Sequence, residues 1–137
     1  MHTGYELVWI AAERTPNHPA IVDDRTERQL SYAELIAEID AVAAGFAARG
    51  IGKGSRVVTA LPATWEHCIA VLALMRLNAV PAMLNFRLKP DEITAICDAC
   101  DIDAAVIQPD ADLAAMVYGA LPAGAPIWSV VEAGGET

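Results

Sequence analysis

The chain has 137 residues, 55% of them from the apolar set AVILMFWYC, and carries 9 Lys and Arg against 18 Asp and Glu, a formal charge of −9. A folded monomer of this mass exposes about 6,900 Å² where its extended chain exposes about 21,000 Å², so one core and one domain are expected, and the apolar content excludes intrinsic disorder. The scattered basic residues disfavour nucleic acid as a partner, and the longest apolar runs, 41–48 and 68–75, reach only eight residues against the ~20 that span a bilayer.

The first residues, Met1-His2-Thr3-Gly4-Tyr5-Glu6, show no basic segment leading into an apolar one, so a cytoplasmic address is expected. Ala20–Asp23 and Arg28–Leu30 read as a hairpin around a polar stretch. Ser31-Tyr32-Ala33-Glu34 is a capping box that starts a helix. Its buried stripe is Leu35, Ile39, Val42 and Phe46, and Gly50 offers the left-handed cap that ends it.

After the turn Gly50–Ser55, Arg56–Leu61 reads as a buried strand stopped by Pro62. Thr64 is placed to cap the next helix, which is apolar all round from Ile69 to Leu74 and is therefore expected between layers. Pro81–Asn85 is a second strand, and Pro90 opens a helix whose inner face is Ile93, Ile96, Cys97 and Cys100. Ala104–Gln108 reads as a third strand, Asp110–Leu121 as a helix and Ile127–Val131 as a fourth strand. Strands alternating with helices predict an α/β fold, a mostly parallel sheet with helices on both faces plus a small N-terminal hairpin. Residues 1–131 form one α/β subdomain in this reading, with 132–137 a flexible tail.

Few segments suggest chemistry. Gly50-Ile51-Gly52-Lys53-Gly54-Ser55 lacks the Walker spacing and lies between a helix and a strand, the reverse of a dinucleotide loop, so it reads as a structural turn. Cys97-Asp98-Ala99-Cys100 sits near a helix C-terminus with no second pair to complete a zinc site, so both thiols, and Cys68, are expected in the core. His67 has no nucleophile in a suitable setting and is expected at the surface or as a cap. His2 and His18 have no carboxylate partner in view.

Arg87 is the most informative polar residue. It follows the strand ending at Asn85, where parallel α/β sheets bind ligands, and its fork suits a phosphate or carboxylate. The alternative is a solvated loop arginine paired with Asp91 or Glu92.

Taken together, Ser31–Leu35, Gly50–Val57, Leu61-Pro62 and Ala79–Leu88 resemble the N-terminal segment of AMP-forming acyl-coenzyme A synthetases, members of the adenylate-forming superfamily. The segment from Arg76 to Lys89, with Ala104–Ile107 behind it, is most similar to the aryl branch, the benzoate and chlorobenzoate ligases. The family usually has Asp at Ser55, Asn at Ala63 and Gly at Asn78, departures that bear on local turns.

The resemblance implies an enzyme that activates a carboxylic acid with ATP and magnesium to an acyl adenylate and transfers the acyl group to coenzyme A. It implies a role for Arg87 beside the nucleotide phosphate of coenzyme A in the complete enzyme. The family's phosphate loop, adenylate-site Thr-Glu pair, ribose-binding Asp and lid lysine have no counterpart before Thr137. This chain alone is therefore expected to be inactive and to bind no cofactor, its partner being the remainder of the ligase chain. The alternatives are a stand-alone truncated module for interaction or oligomerisation and, last, a free-standing flavodoxin-like nucleotide binder. A mean hydropathy of +0.34 points to surface meant for protein contact, so a homo-oligomer is a further expectation.

Overall fold

The capping box forms as the sequence dictates. The Glu34 amide donates to Ser31 Oγ at 3.2 Å and the Ser31 amide to Glu34 Oε1 at 3.0 Å, satisfying two of the amides left free at a helix start. The computed structural model describes residues 4–24, 27–61, 64–84, 89–107, 115, 117, 119 and 121–129. In chain order its elements are α1 (Gly4–Arg14), β1 (Pro19–Val22), β2 (Gln29–Ser31), α2 (Tyr32–Ala48), β3 (Arg56–Ala60), α3 (Trp65–Arg76), β4 (Val80–Met83), α4 (Pro90–Cys100), β5 (Ala104–Ile107) and β6 (Ile127–Ser129).

Helix α2 buries Leu35, Ile39, Ala43 and Phe46, so Ala43 takes the place expected of Val42, which is half-buried. Gly50, at φ 92°, follows it in the left-handed conformation that a residue with a β-carbon avoids. Helix α1 was not expected. It buries none of its residues fully, packing only Tyr5 and Val8 against the core, while Leu7 and Trp9 stay exposed.

β1 and β2 pair antiparallel as the expected hairpin. The other four strands form one sheet in the order β4-β3-β5-β6, every neighbouring pair parallel. From β3 the chain moves outward through α3 to β4, then returns through α4 across β3 to β5. That reversal puts α3 and α4 on opposite faces. Side-chain alternation along β3 and β5 supplies both cores. Val57, Leu61, Ala104 and Val106 pack with α2 and α3, whereas Val58, Ala60, Ala105 and Ile107 pack with Ile93 and Cys97 of α4. The α/β class, the covered sheet and the hairpin are as the sequence predicts.

Most of the expected helix 110–121 and the segment 130–137, with its expected tail, lie outside the described residues. Val117 and Leu121 are buried in the α4-side core, and the Leu121 amide donates to the Val117 carbonyl at 3.1 Å, a helical bond. Among the described residues no helix is long and apolar enough to cross a membrane.

Candidate functional site

In an open parallel sheet the two ends are not equivalent. Ligands bind outside the carboxyl ends of the strands, where successive connections leave for opposite faces. Here that switch falls between β3 and β5, with β4 alongside.

The amino ends are closed by structural bonds. Gly52 donates its amide to Ser55 Oγ at 3.0 Å, Gly54 to the Asn78 carbonyl at 2.9 Å and Val80 to the Ser55 carbonyl at 2.7 Å. Gly50–Ser55 is thus a structural turn, with the amides of Gly50, Ile51, Gly52, Gly54 and Ser55 spent within the fold. Arg56 adds a second clasp, its amide donating to Asp103 Oδ2 at 2.9 Å and its side chain to the Cys100 carbonyl at 2.7 Å.

At the carboxyl ends one residue differs from its surroundings. Thr59 is fully buried among apolar strand residues, the sole buried polar residue among those described. A buried hydroxyl costs about 1–3 kcal/mol unless it is hydrogen-bonded. Its partner is His67 of α3, with Nε2 2.9 Å from Thr59 Oγ1. His67 is half-buried and reaches down to the sheet, so it is neither a surface nor a capping histidine. Thr64 occupies the N-cap position of α3 but makes no cap bond with its side chain; the side-chain bond between α3 and the strand comes three residues later. The Thr59 backbone also works: its carbonyl accepts the Leu84 amide at 2.9 Å, immediately after β4. A lone hydroxyl in the run Val57-Val58-Thr59-Ala60, with a histidine eight residues on, was the available sequence signal for this pair.

Arg87, the site residue proposed from sequence, lies outside the described residues, as do Pro62 and Ala63. Of the three cysteines, Cys97 is buried whereas Cys68 and Cys100 are exposed, correcting the expectation of three core thiols. Cys100 lies one turn beyond Cys97 and on the same side of the helix, but it is the last residue of α4 and is left exposed there. Cys68 occupies the outer face of α3, between His67 and the buried pair Ile69 and Ala70. Burial pushes the Cys97 thiol pKa up, with the Asp98 and Cys100 charges adding to the effect, and desolvation does the same at Cys68. Among the described residues no group of three His, Cys, Asp or Glu side chains is placed to hold a metal ion.

A parallel sheet in the order β4-β3-β5-β6, with α3 and α4 on opposite faces, defines a doubly wound α/β domain. A family model described as AMP-binding enzyme matches residues 8–132, and the chain belongs to that family.

The chain is 41% identical over 96 residues to the 4-chlorobenzoate–CoA ligase of an Arthrobacter species, covering 70% of this chain and 18% of that ligase. It is also 41% identical over 81 residues to the 2,3-dihydroxybenzoate-AMP ligase of Bacillus subtilis, covering 59% of this chain and 15% of that enzyme. The chain thus spans under a fifth of the length of these two curated relatives. The N-terminal domain of FACL13 from Mycobacterium tuberculosis superimposes with a TM-score of 0.84 at 23% identity, over 94% of this chain and 34% of that one. The N-terminal subdomain of Klebsiella oxytoca NpsA does so with 0.77 at 22% identity, over 93% and 30%. These likenesses show that the chain shares the fold of those N-terminal domains.

Asn78 and Ser55 account for two departures from the family pattern. Asn78 stands at φ 57°, a left-handed position that suits the family's Gly and that Asn tolerates better than other residues. Ser55 accepts the Gly52 amide on its hydroxyl oxygen at 3.0 Å, so this turn has a side-chain acceptor without the Asp that the resemblance leads one to expect.

Proposed function

We propose that this chain is the N-terminal part of an ATP-dependent acyl- or aryl-CoA synthetase, which converts a carboxylic acid, ATP and coenzyme A to an acyl-CoA, AMP and pyrophosphate. The observation carrying this reading is the family match over residues 8–132, joined to the 41% identity with a chlorobenzoate–CoA ligase. The second relative, an AMP ligase for dihydroxybenzoate, favours an aromatic acid as substrate.

The phosphate loop, adenylate-site Thr-Glu pair, ribose-binding Asp and lid lysine that the resemblance implies have no counterpart in residues 1–137. Adenylation is therefore assigned to the rest of the enzyme, and the chain alone is inactive. What this segment contributes is an edge for the acyl acceptor. Arg87, three residues beyond Leu84, holds the nucleotide phosphate of coenzyme A through the paired donors of its guanidinium.

The test uses the complete ligase. Arg87→Ala raises the KM for coenzyme A and leaves pyrophosphate exchange with acid and ATP nearly unchanged. Parallel loss of both half-reactions makes the arginine structural, and AMP formation by the 137-residue chain alone overturns the assignment of adenylation to the rest of the enzyme.

A further inference from the structure

We infer that Thr59 and His67 form a positioning pair that sets the carboxyl end of β4 for the thioester-forming half of the reaction. The inference rests on the reading of the chain as part of an acyl-CoA ligase.

Thr59 has two bonds that point in different directions. Its side chain is tied to His67 on α3 at 2.9 Å, and its carbonyl takes the Leu84 amide at 2.9 Å. Helix α3 is thereby coupled through a single strand residue to the point where the chain leaves β4. The parallel register, with Thr59 beside Met83 and Val106, puts this residue between both neighbouring strands at the ligand end of the sheet.

Packing alone does not call for a polar pair here. Valine matches threonine in size, and the strand already uses Val57 and Val58 in the same sheet. A hydroxyl buried there must be answered by one partner at one distance and angle, which apolar contact does not require. The bond therefore ties α3 to β3 at Thr59, the residue at which the parallel ladder of β3 and β4 ends on the Leu84 amide. Neither side chain is assigned contact with substrate; both act through the strand ends they hold.

Kinetics of the complete ligase test this, with coenzyme A varied in one assay and pyrophosphate exchange measured in another. Thr59→Val and His67→Leu each raise the KM for coenzyme A by about three- to tenfold, the equivalent of one net hydrogen bond, with pyrophosphate exchange unchanged. His67→Gln, whose amide still reaches a hydroxyl, restores most of the loss. The double variant Thr59→Val/His67→Leu removes both polar groups, so it regains thermal stability but keeps the raised KM. A double variant with the KM of the unsubstituted enzyme overturns the proposal, as does a fall of both half-reactions in step with stability. An unsubstituted ligase that forms no thioester with coenzyme A overturns the functional reading itself, and is told apart because it needs no substitution.

Discussion

The carbonyl of Asn78 accepts the amide of Gly54 at 2.9 Å, and both residues are left-handed, at φ 57° and 82°. Two turns distant in sequence are locked together at the amino ends of β3 and β4. The Val80 amide bonding to the Ser55 carbonyl at 2.7 Å continues the clasp into the strands. The sheet edge opposite the candidate site is thus fixed by backbone, which leaves the carboxyl ends as the edge available for function.

Asn78→Gly should leave stability within about 1 kcal/mol, because relief of the left-handed backbone offsets the greater freedom of glycine in the unfolded chain. Asn78→Val should lose about 1–3 kcal/mol, since a β-branched side chain is strained at that φ. Urea midpoints at unchanged m-value measure both. Equal stability of the valine and glycine variants contradicts the left-handed turn.

The capping box gives a pH dependence with a definite sign. Bonding from the Ser31 amide, and then its side chain, holds the Glu34 carboxyl below the ordinary carboxylate range. A carboxyl lowered in the folded state stabilises above its unfolded pKa, and that contribution is lost as pH falls through the folded value. The stability difference between the unsubstituted chain and Glu34→Gln should accordingly shrink on acidification below the ordinary carboxylate range, and growth of that difference refutes the assignment. Ser31→Ala should cost about 0.5–2 kcal/mol at neutral pH.

Most of the fold was legible because its elements carry local signals: the Ser31 box, Gly50, the Pro90 helix start and the short β-branched strands. What was not legible depends on contacts remote in sequence. In α1 the apolar residues Tyr5, Leu7, Val8, Trp9 and Ile10 run round the helix, so no stripe announces which side packs. Cys100 and Cys97 share a helical spacing, and only the end of α4 decides that one faces out. His67 looked partnerless because its partner lies on the preceding strand, and a strand hydroxyl in an apolar run carries no mark of the direction in which it bonds.

Cysteine labelling separates the three thiols. In the folded chain an aromatic disulfide reagent should modify Cys100 and Cys68, and reach Cys97 only on unfolding, since it is buried. The raised pKa of Cys68 leaves little thiolate at neutral pH, so its labelling rate should still be climbing above the range where an ordinary thiol levels off. Labelling of Cys97 at the rate of Cys100 in native buffer is inconsistent with this core.

Leu74 is fully buried and Leu7 is 60% exposed, so one substitution at two sites reports on the layering. Leu74→Ala should cost about 2–5 kcal/mol by transfer and cavity terms, whereas Leu7→Ala should change stability by no more than about 0.5 kcal/mol. Denaturant midpoints decide, and comparable losses show that α1 packs through Leu7.

Self-association of the isolated chain follows from β4. Among the described residues this strand pairs only with β3, and it exposes Val80 and Met83 at 49% and 63%. Pro81 removes one amide donor from the strand, as edge positions allow, so side-chain contact rather than strand addition should dominate the association. An apolar edge left uncovered tends to be buried against another molecule, and a lysine there opposes it by charge and desolvation. The 137-residue chain should therefore sediment with a mass that rises across the micromolar range, and Met83→Lys should return it to monomer without loss of helical content. A monomer at every concentration shows that the edge is sufficiently solvated as it stands, and association undiminished by Met83→Lys moves the contact to another face, with the exposed Leu7 and Trp9 of α1 the next to substitute.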